Sequence, residues 1–323
     1  MMRITALLPI RNGGRYIVAS LPSILQNLSL EDELLIINDG STDDTEELLN
    51  IFSKEDSRIR IIQNHRSGLV NSLNLGIRES SHNWIARFDI DDTYPPDRIF
   101  EQRRLILPEV VGIFSDYEFR TEKGETLGHM ESAVFNCAVN ISLLSSQRTA
   151  HPSVLFRRDA AIDSGVYRLD DFPAEDLSLW LRLSRQGSLV SVPKTLLFYQ
   201  LSGSSVSANS RDRILRKKSE LIQEIGVQEN NIDDFFQNFT NIFSEYERMS
   251  FSSERKILIA RELFLYLNSE RGPTGLKAKY FKLCSALIRD VRLFPASYKI
   301  AKYRHFRNVY RKNLKLEPSA FIQ

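Results

Sequence analysis

Residues 84–92 read Trp84-Ile85-Ala86-Arg87-Phe88-Asp89-Ile90-Asp91-Asp92. The aromatic and aliphatic residues of this stretch predict a buried strand, which would carry the three aspartates to its C-terminal end. Ligands of open α/β sheets bind at that end. Carboxylates packed this closely repel one another unless a cation lies among them, and Mg²⁺ or Mn²⁺ takes such oxygen ligands. The stretch therefore indicates either a site for a metal-held phosphate ester or nucleotide, or simply a polar loop after a strand.

The segments around this stretch alternate short apolar runs with amphipathic helical patterns. Strands are predicted at four places in the first part of the chain: residues 4–8, 33–37, 58–62 and 84–89. Helices are predicted over about 14–26 and 68–80, and Pro95 and Pro96 are typical of the start of another. This alternation predicts an α/β fold with a doubly wound, mainly parallel sheet.

The regular alternation of strand-like and helix-like segments ends after about Glu109. An amphipathic helix is predicted over 175–186, and β-like runs are predicted at 110–114, 117–127, 153–157, 189–192 and 196–201. Beyond Asn209 the pattern is almost entirely helical. The chain is therefore expected to divide near residue 207 into an α/β part and a helical part.

The composition bounds the class of protein. The chain has 323 residues, of which 42% are hydrophobic and 26% charged, as in ordinary globular proteins. It contains no apolar stretch of about 18 residues, and the apolar run before Pro9 is too short for a signal peptide, so we expect a cytoplasmic protein. The two cysteines, Cys137 and Cys284, lie far apart. They indicate neither a disulfide framework nor a cysteine-based metal site.

Polar or glycine-containing segments follow each of the first four predicted strands. They are Pro9-Ile10-Arg11-Asn12-Gly13-Gly14, Asn38-Asp39-Gly40-Ser41, Asn64-His65-Arg66-Ser67-Gly68-Leu69 and the aspartate stretch. Taken singly, the first is more typical of a turn and the second of a helix cap, whereas the third suits an anion at a helix N-terminus. Because the carboxyl ends of parallel strands meet at one edge of the sheet, the four together predict a nucleotide site.

The order of these segments resembles the family-2 glycosyltransferases with a GT-A fold, of the type that acts in bacterial surface-polysaccharide assembly. The resemblance rests on residues 8–12, 37–43, 68–76 and 87–92, and downstream on 151–157 and 174–180. It covers about residues 3–207. It implies a GT-A catalytic domain over 1–207, with a nucleotide-binding half at about 1–108 and an acceptor half at about 109–207. A C-terminal helical, basic region over 208–323 would follow.

The resemblance implies an inverting, hexosyltransferase-type enzyme. It would move a sugar from a nucleotide-sugar donor, most often a UDP-sugar in such relatives, to a glycan or lipid-linked oligosaccharide. A divalent metal, Mn²⁺ or Mg²⁺, would stabilise the charge on the departing diphosphate. Two alternatives remain open. One is a non-catalytic scaffold that binds a nucleotide or glycan, and the other is a sugar-nucleotide pyrophosphorylase, although its glycine-rich basic signature is missing after Gly14.

On the donor side, the resemblance assigns the metal to Asp91 and the nucleoside side, near the ribose, to Asp89. Asp92 would support the loop, and Arg87 would bind a phosphate or a carboxylate or fix the loop. The other predicted donor contacts are Pro9, Arg11 and Asp39, with Arg66 and Asn74 as weaker candidates.

On the acceptor side, Asp176 matches the general base of the family's Glu-Asp pair. The neighbouring Glu175 would raise its pKa, and the helix N-terminus would lower it; the alternative is ordinary helix-start charge. His151 would help to form the acceptor or diphosphate pocket, or be structural. Relatives often carry a histidine in the late loop, but residues 199–204 contain none, so we expect the metal to be held by Asp91, diphosphate and water.

The net charge of +2 is unevenly distributed. Residues 271–323 carry a charge of +11, and residues 1–270 carry −9. Cations alternate with aromatic and aliphatic residues in this tail, which predicts peripheral contact with an anionic membrane through residues 271–315, on the inner face of the cell membrane. The alternative is a helical subdomain packed on the catalytic domain. No recognised nucleic-acid-binding motif accompanies the charge, so nucleic-acid binding is not expected.

Overall fold

The computed structural model describes residues 2–65, 68–132, 139, 142–143, 149–201 and 211–225. Its strands are β1 (Thr5–Ile10), β2 (Glu33–Asp39), β3 (Ile59–Asn64), β4 (Trp84–Arg87), β5 (Val110–Arg120), β6 (Thr126–Met130), β7 (Leu155–Arg157) and β8 (Ser188–Gln200). Its helices are α1 (Gly14–Leu25), α2 (Thr45–Glu55), α3 (Leu69–Glu79), α4 (Arg98–Arg103), α5 (Arg158–Asp163), α6 (Glu175–Leu183) and α7 (Arg211–Ile225). Short 3-10 turns lie at His151–Ser153 and Leu169–Asp171. The predicted membrane contact over 271–315 falls outside the described residues.

The described strands form one mixed sheet in the order β3-β2-β1-β4-β7-β5-β6, with β8 paired to β5. β3, β2, β1 and β4 are parallel. β7 runs antiparallel between β4 and β5, and β8 runs parallel to β5. The predicted doubly wound, mainly parallel sheet is therefore confirmed. None of the described helices is long and apolar enough to cross a membrane.

The structure differs from the sequence-based expectation in β5 and β8. Each runs unbroken where the sequence predicted two separate runs. The register between them moves from the pair Ser115–Val192 to the pair Asp116–Thr195. The two residues between Val192 and Thr195 therefore form a bulge, and one of them is Pro193, which has no N–H to donate to a ladder. The bulge explains why the polar break in the sequence does not end the strand.

Each face of the sheet carries its own hydrophobic core, because a strand buried on both faces alternates its side chains between the two sides. In β1, Leu7 packs with Leu73 of α3, whereas Leu8 belongs to the core that contains Ile17 of α1. Gly76 of α3 lies so close to β1 that a Cβ there would be 2.2 Å from a methyl group of Leu7. This packing fixes β1, and with it the sheet edge where the loops of the site begin.

A buried arginine supports the backbone directly before the aspartate stretch. Arg98 of α4 is fully buried and donates to the carbonyl oxygens of Arg87 (2.8 Å) and Val154 (3.2 Å). Its guanidinium lies over the rings of Phe88 (4.1 Å) and Tyr94 (4.8 Å). Burial lowers the pKa of Arg98 to about 10, so it stays charged at neutral pH. Arg98 therefore links β4 to the segment that precedes β7.

Replacing Arg98 by methionine is expected to lower the free energy of unfolding by about 3–5 kcal/mol. Two buried carbonyl oxygens each lose a charged donor, at about 1–3 kcal/mol each, although that of Val154 still accepts from the N–H of Arg87, and the cation–π contacts are lost as well. Urea unfolding followed by circular dichroism measures the change. The exposed Arg104→Met is the matched control, with an expected change within about 0.5 kcal/mol. A loss below about 1 kcal/mol in Arg98→Met would show that the carbonyl oxygens find other donors.

Candidate active site

The loops that follow β1 and β2 are tied to each other. The backbone N–H of Asn12 donates to Ser41 Oγ (2.9 Å), and the N–H of Thr42 donates to Asn12 Oδ1 (2.8 Å). The N–H of Gly14 donates to the carboxylate of Asp43 (3.1 Å). Asn12 has a φ of 51°, in the left-handed region that asparagine tolerates better than most residues. These contacts hold the first two loops together at the carboxyl edge of the sheet.

The residues of these loops that were predicted to contact the nucleotide-sugar donor lie in different environments. Pro9 is buried within β1, in register with Ile37 of β2. Arg11 is exposed at the turn, where its guanidinium can reach a ligand. Asp39, at the end of β2, is 4% exposed and accepts from the N–H of Gly68 (3.0 Å). Asp39 thus fixes the start of α3. The predicted contact Arg66 lies outside the described residues.

The three aspartates after β4 form one carboxylate cluster. One oxygen from each of Asp89, Asp91 and Asp92 lies within 4.8 Å of the others. Burial and the charge of Asp89 raise the pKa of Asp91 to about 6. Burial and both neighbouring carboxylates raise the pKa of Asp92 well above its usual range. Asp92 Oδ2 is buried without a hydrogen-bond partner. The repulsion and the unpartnered oxygen fit a divalent cation, so these residues are suited to hold the expected metal.

Asp92 also joins the cluster to the end of β8. Its Oδ1 accepts from the N–H of Gln200 (2.8 Å), and the neighbouring Thr93 exchanges two backbone hydrogen bonds with Phe198. This agrees with the predicted supporting role of Asp92, although its second oxygen belongs to the cluster. The chain leaves β8 directly beside the aspartates and enters residues 202–210, which are outside the described part. The prediction that this loop gives the metal no histidine ligand, so that Asp91, diphosphate and water hold it, therefore stays a prediction.

Arg87 lies in the strand that leads to the cluster. It is 1% exposed, and its Nη2 donates to Asp89 Oδ1 at 2.7 Å. Burial alone would lower its pKa, but the charge of Asp89 keeps the pKa above the usual value. Of the roles predicted for Arg87, the structure shows the pairing with a carboxylate, that of Asp89. Arg87 also acts electrostatically on Asp91 and Asp176, so its charge favours the ionised form in both acidic groups of the site.

The second acidic group opens helix α6. Glu175 is 6% exposed, and its Oε2 is buried without a partner. Burial and the charge of Asp176 raise the pKa of Glu175 to about 7. Asp176 is half-buried, and its Oδ1 accepts from the N–H of Leu177 (2.7 Å). Burial raises the pKa of Asp176, and the ammonium of Lys218 opposes that shift. Burial is thus the largest influence on the pKa of both carboxyl groups, and it could not be predicted from the sequence.

Two predicted ligand residues, His151 and Asn74, are hydrogen-bonded to the buried Tyr167. Nε2 of His151 lies 2.8 Å from the Tyr167 hydroxyl, and the His151 ring packs at 5.8 Å from that of Trp180. Burial lowers the pKa of His151 well below its usual range, so the imidazole is neutral. Asn74 Nδ2 donates to the carbonyl oxygen of Tyr167 (2.8 Å), and Asn74 Oδ1 accepts from its N–H (3.0 Å). For His151 these contacts favour the structural alternative, whereas for Asn74 they show a structural partner that the sequence did not predict.

Three further side chains lie near the acidic groups and were not predicted from the sequence. Tyr167 interacts electrostatically with Glu175 and Asp176, and Lys218 of α7 interacts with Asp176. Tyr16 lies within electrostatic reach of Asp91. No local pattern marks these three residues as functional. Only packing between segments far apart in the chain brings them to the site.

The comparison with known sequences identifies the first part of the chain. Residues 5–144 match the family model described as glycosyl transferase family 2. The chain is 26% identical over 214 residues to the O-antigen biosynthesis glycosyltransferase WbnJ of Escherichia coli, covering 64% of this chain and 83% of WbnJ. Other relatives are uncharacterized glycosyltransferases of Rickettsia species, at 28–29% identity. The chain spans only about a third of their length, 30–33%.

Solved structures share the fold. S. aureus TarS 1–349 in complex with UDP-GlcNAc superposes with a TM-score of 0.57 at 14% identity, over 97% of this chain and 92% of that chain. The mannosyltransferase PcManGT from Pyrobaculum calidifontis, in complex with GDP-Man and Mn²⁺, also gives a TM-score of 0.57, at 15% identity over 95% and 82% of the two chains. At such identities the likeness concerns the fold alone. The solved structures show that this chain has the GT-A fold, and residues 5–144 carry its match to glycosyl transferase family 2.

Proposed function

We propose that this protein is an inverting glycosyltransferase that transfers a sugar from a UDP-sugar to a glycan or lipid-linked oligosaccharide in surface-polysaccharide biosynthesis. The observation that carries the proposal is the pairing of two acidic groups: the cluster of Asp89, Asp91 and Asp92 at the end of β4, and Glu175-Asp176 at the start of α6. The relationship to WbnJ supports the biosynthetic setting, and the likeness to TarS with UDP-GlcNAc supports the donor. Peripheral membrane contact through residues 271–315 is part of the same proposal.

The donor side is assigned to the aspartate cluster and the loops after β1 and β2. Asp91 would hold Mn²⁺ or Mg²⁺, and the unpartnered oxygen of Asp92 lies in the same cluster. A bound divalent cation would stabilise the negative charge that develops on the leaving nucleoside diphosphate. Asp89, oriented by Arg87, would accept from the ribose, and the exposed Arg11 would contact the nucleotide. Asp39 would contact the nucleoside at the same edge of the sheet, while its carboxylate also accepts from the N–H of Gly68.

On the acceptor side, Asp176 would act as the general base. Inversion by a single displacement needs a base on the face of the sugar opposite the leaving group. The acceptor hydroxyl would lose its proton to Asp176 as its oxygen bonds to the anomeric carbon and the bond from that carbon to the diphosphate breaks. A base works best when its pKa lies near the working pH, and burial moves Asp176 in that direction. Glu175 would keep the pocket polar and, with its pKa near 7, would be partly protonated.

A thermal-shift panel of nucleotides tests the donor assignment. UDP and UDP-GlcNAc are expected to raise the melting temperature by about 5–10 °C at a hundredfold excess over Kd, and only with Mn²⁺ or Mg²⁺ present. ADP and GDP serve as controls and should shift it less. If no nucleoside diphosphate stabilised the protein in a metal-dependent way, the donor assignment would be wrong. Release of UDP from UDP-GlcNAc, with water as acceptor, then separates an enzyme from a non-catalytic scaffold.

A further inference from the structure

The carboxylate cluster lies on a turn from Asp89 to Tyr94, and the side chain of Tyr94 closes this turn. The Tyr94 hydroxyl accepts from the backbone N–H of Asp89 (2.7 Å) and donates to the carbonyl oxygen of the same residue (3.3 Å). That carbonyl oxygen also accepts from the N–H of Asp92 (3.4 Å). A side chain at the end of the turn therefore fixes the backbone at its start, and Asp91 and Asp92 lie between the two ends.

The ring of Tyr94 is itself held by residues outside the turn. Tyr94 is 2% exposed, and its ring packs edge-on against that of Phe88, with 4.6 Å between the centroids. The guanidinium of Arg98 lies 4.8 Å from the ring of Tyr94 and donates to the carbonyl oxygen of Arg87, the last residue of β4. The position of the Tyr94 hydroxyl is thus set by β4 and α4, and the turn is tied to that fixed point.

Helix α1 binds the same turn from another side. Ser20 Oγ donates to the carbonyl oxygen of Asp92 at 2.7 Å. Ser23 Oγ accepts from the N–H of Tyr94 (3.3 Å), and Gln26 Nε2 donates to the carbonyl oxygen of Tyr94 (3.1 Å). Residues three apart lie on one face of a helix, so one face of α1 makes all three contacts. Because α1 begins at the loop after β1, this helix joins the predicted nucleotide edge to the turn.

These anchors act against the repulsion within the cluster. One oxygen of each of Asp89, Asp91 and Asp92 lies within 4.8 Å of the others, and ionised carboxylates at that distance repel one another. The hydrogen bonds of Tyr94 and Ser20 go to backbone atoms, so they persist whatever the charge of the carboxyl groups. They keep the three side chains close together before a cation binds. Such preorganisation raises affinity, because the cation does not have to order its own ligands.

We propose that Tyr94 is a positioning residue for the metal: its hydroxyl closes the turn and holds the three carboxylates at a spacing that a divalent cation can bridge. The inference rests on the proposed function, in which Asp91 and its neighbours hold Mn²⁺ or Mg²⁺. Tyr94 acts through the backbone of Asp89 and is not itself a ligand. Ser20 has the same role at Asp92, from the side of α1.

Tyr94→Phe tests the inference, because it removes the hydroxyl and keeps the ring. At saturating UDP, this variant is expected to bind Mn²⁺ about tenfold more weakly, as is typical when a group that orients metal ligands is lost. Isothermal titration calorimetry with Mn²⁺ measures the affinity. In UDP release from UDP-GlcNAc, the Mn²⁺ concentration for half-maximal rate should rise about tenfold, while kcat at saturating Mn²⁺ stays within about twofold. A purely structural role would lower the melting temperature without this change in Mn²⁺ affinity.

Two serine variants complete the experiment. Ser20→Ala should weaken Mn²⁺ binding by about threefold, the effect of one hydrogen bond, because the N–H of Gln200 still holds the Asp92 side chain. Ser80→Ala is the matched control: Ser80 is buried, and its Oγ donates to the carbonyl oxygen of Gly76 (2.7 Å) at the end of α3. Its Mn²⁺ affinity should stay within about twofold of the wild type.

The possible results separate the two levels of the proposal. If the wild type does not bind Mn²⁺ in the presence of UDP, the proposed donor site fails and this inference fails with it. If the wild type binds Mn²⁺ and Tyr94→Phe binds it equally tightly, only this inference is overturned. An equal loss of affinity in Ser80→Ala would overturn it as well, because the effect would then be a general loosening of the fold. Circular dichroism checks folding, and Ser20→Ala provides the test if Tyr94→Phe does not fold.

Discussion

Asp176→Asn is expected to lower the rate of transfer by about 10²–10⁴-fold, the range that a general base contributes. Asparagine has the same size and can still accept from the N–H of Leu177, so the start of α6 should keep its geometry. It cannot take up the proton of the acceptor hydroxyl. The donor side lies on another part of the sheet edge, so the affinity for UDP with Mn²⁺ should stay within about twofold. Steady-state kinetics and the thermal shift measure the two effects separately.

Glu175→Gln is the matched control for this prediction. Glu175 is buried, its Oε2 has no partner, and its pKa is raised to about 7. Because a protonated carboxyl group resembles an amide, glutamine imitates a form that Glu175 already adopts near neutral pH. The rate should fall by less than about tenfold. A larger loss in Glu175→Gln than in Asp176→Asn would reverse the two roles and make Glu175 the base.

Much of the sheet and of the donor edge could be predicted from the sequence, because short-range patterns encode them. Apolar runs bounded by glycine, proline and aspartate mark each parallel strand, and the residues that follow a strand must lie at its carboxyl edge. That argument places Asp39 and the 89–92 stretch at one end of the sheet, where the structure has them. It needs no knowledge of how distant segments pack.

The partners of the site residues could not be predicted in this way, because they come from remote parts of the chain. The amide of Asn74 is hydrogen-bonded to the backbone of Tyr167, 93 residues later, and Lys218, in a helix that follows the sheet, acts electrostatically on Asp176. The pKa of Glu175 is raised mainly by burial, which depends on tertiary packing. Sequence patterns indicate which groups are polar. They do not indicate which of those groups a neighbouring segment already binds.

Asp91→Asn is expected to produce two opposite changes in the thermal stability. In wild-type protein without metal, the pKa of Asp91 is raised to about 6 by burial and by Asp89, so the folded state disfavours the ionised form. The contribution of protonated Asp91 to the free energy of unfolding is fully present below the pKa that Asp91 has in the unfolded chain. It is lost as the pH rises through about 6. At pH 7.5 the asparagine variant should therefore melt higher than the metal-free wild type. A gain of about 1 kcal/mol corresponds to about 2–4 °C.

The second change is the loss of the response to ligand. Without the Asp91 carboxylate, UDP with Mn²⁺ should no longer raise the melting temperature, and kcat/KM should fall at least about 10²-fold, since metal stabilisation of the leaving group is worth several kcal/mol. The exposed Asp163→Asn on α5 is the matched control and should change neither quantity. The advantage of Asp91→Asn in the metal-free state should shrink below pH 6, because Asp91 is then protonated in the wild type. If the variant still responded to Mn²⁺ and UDP, the metal would have to be assigned to Asp89 and Asp92, which belong to the same cluster.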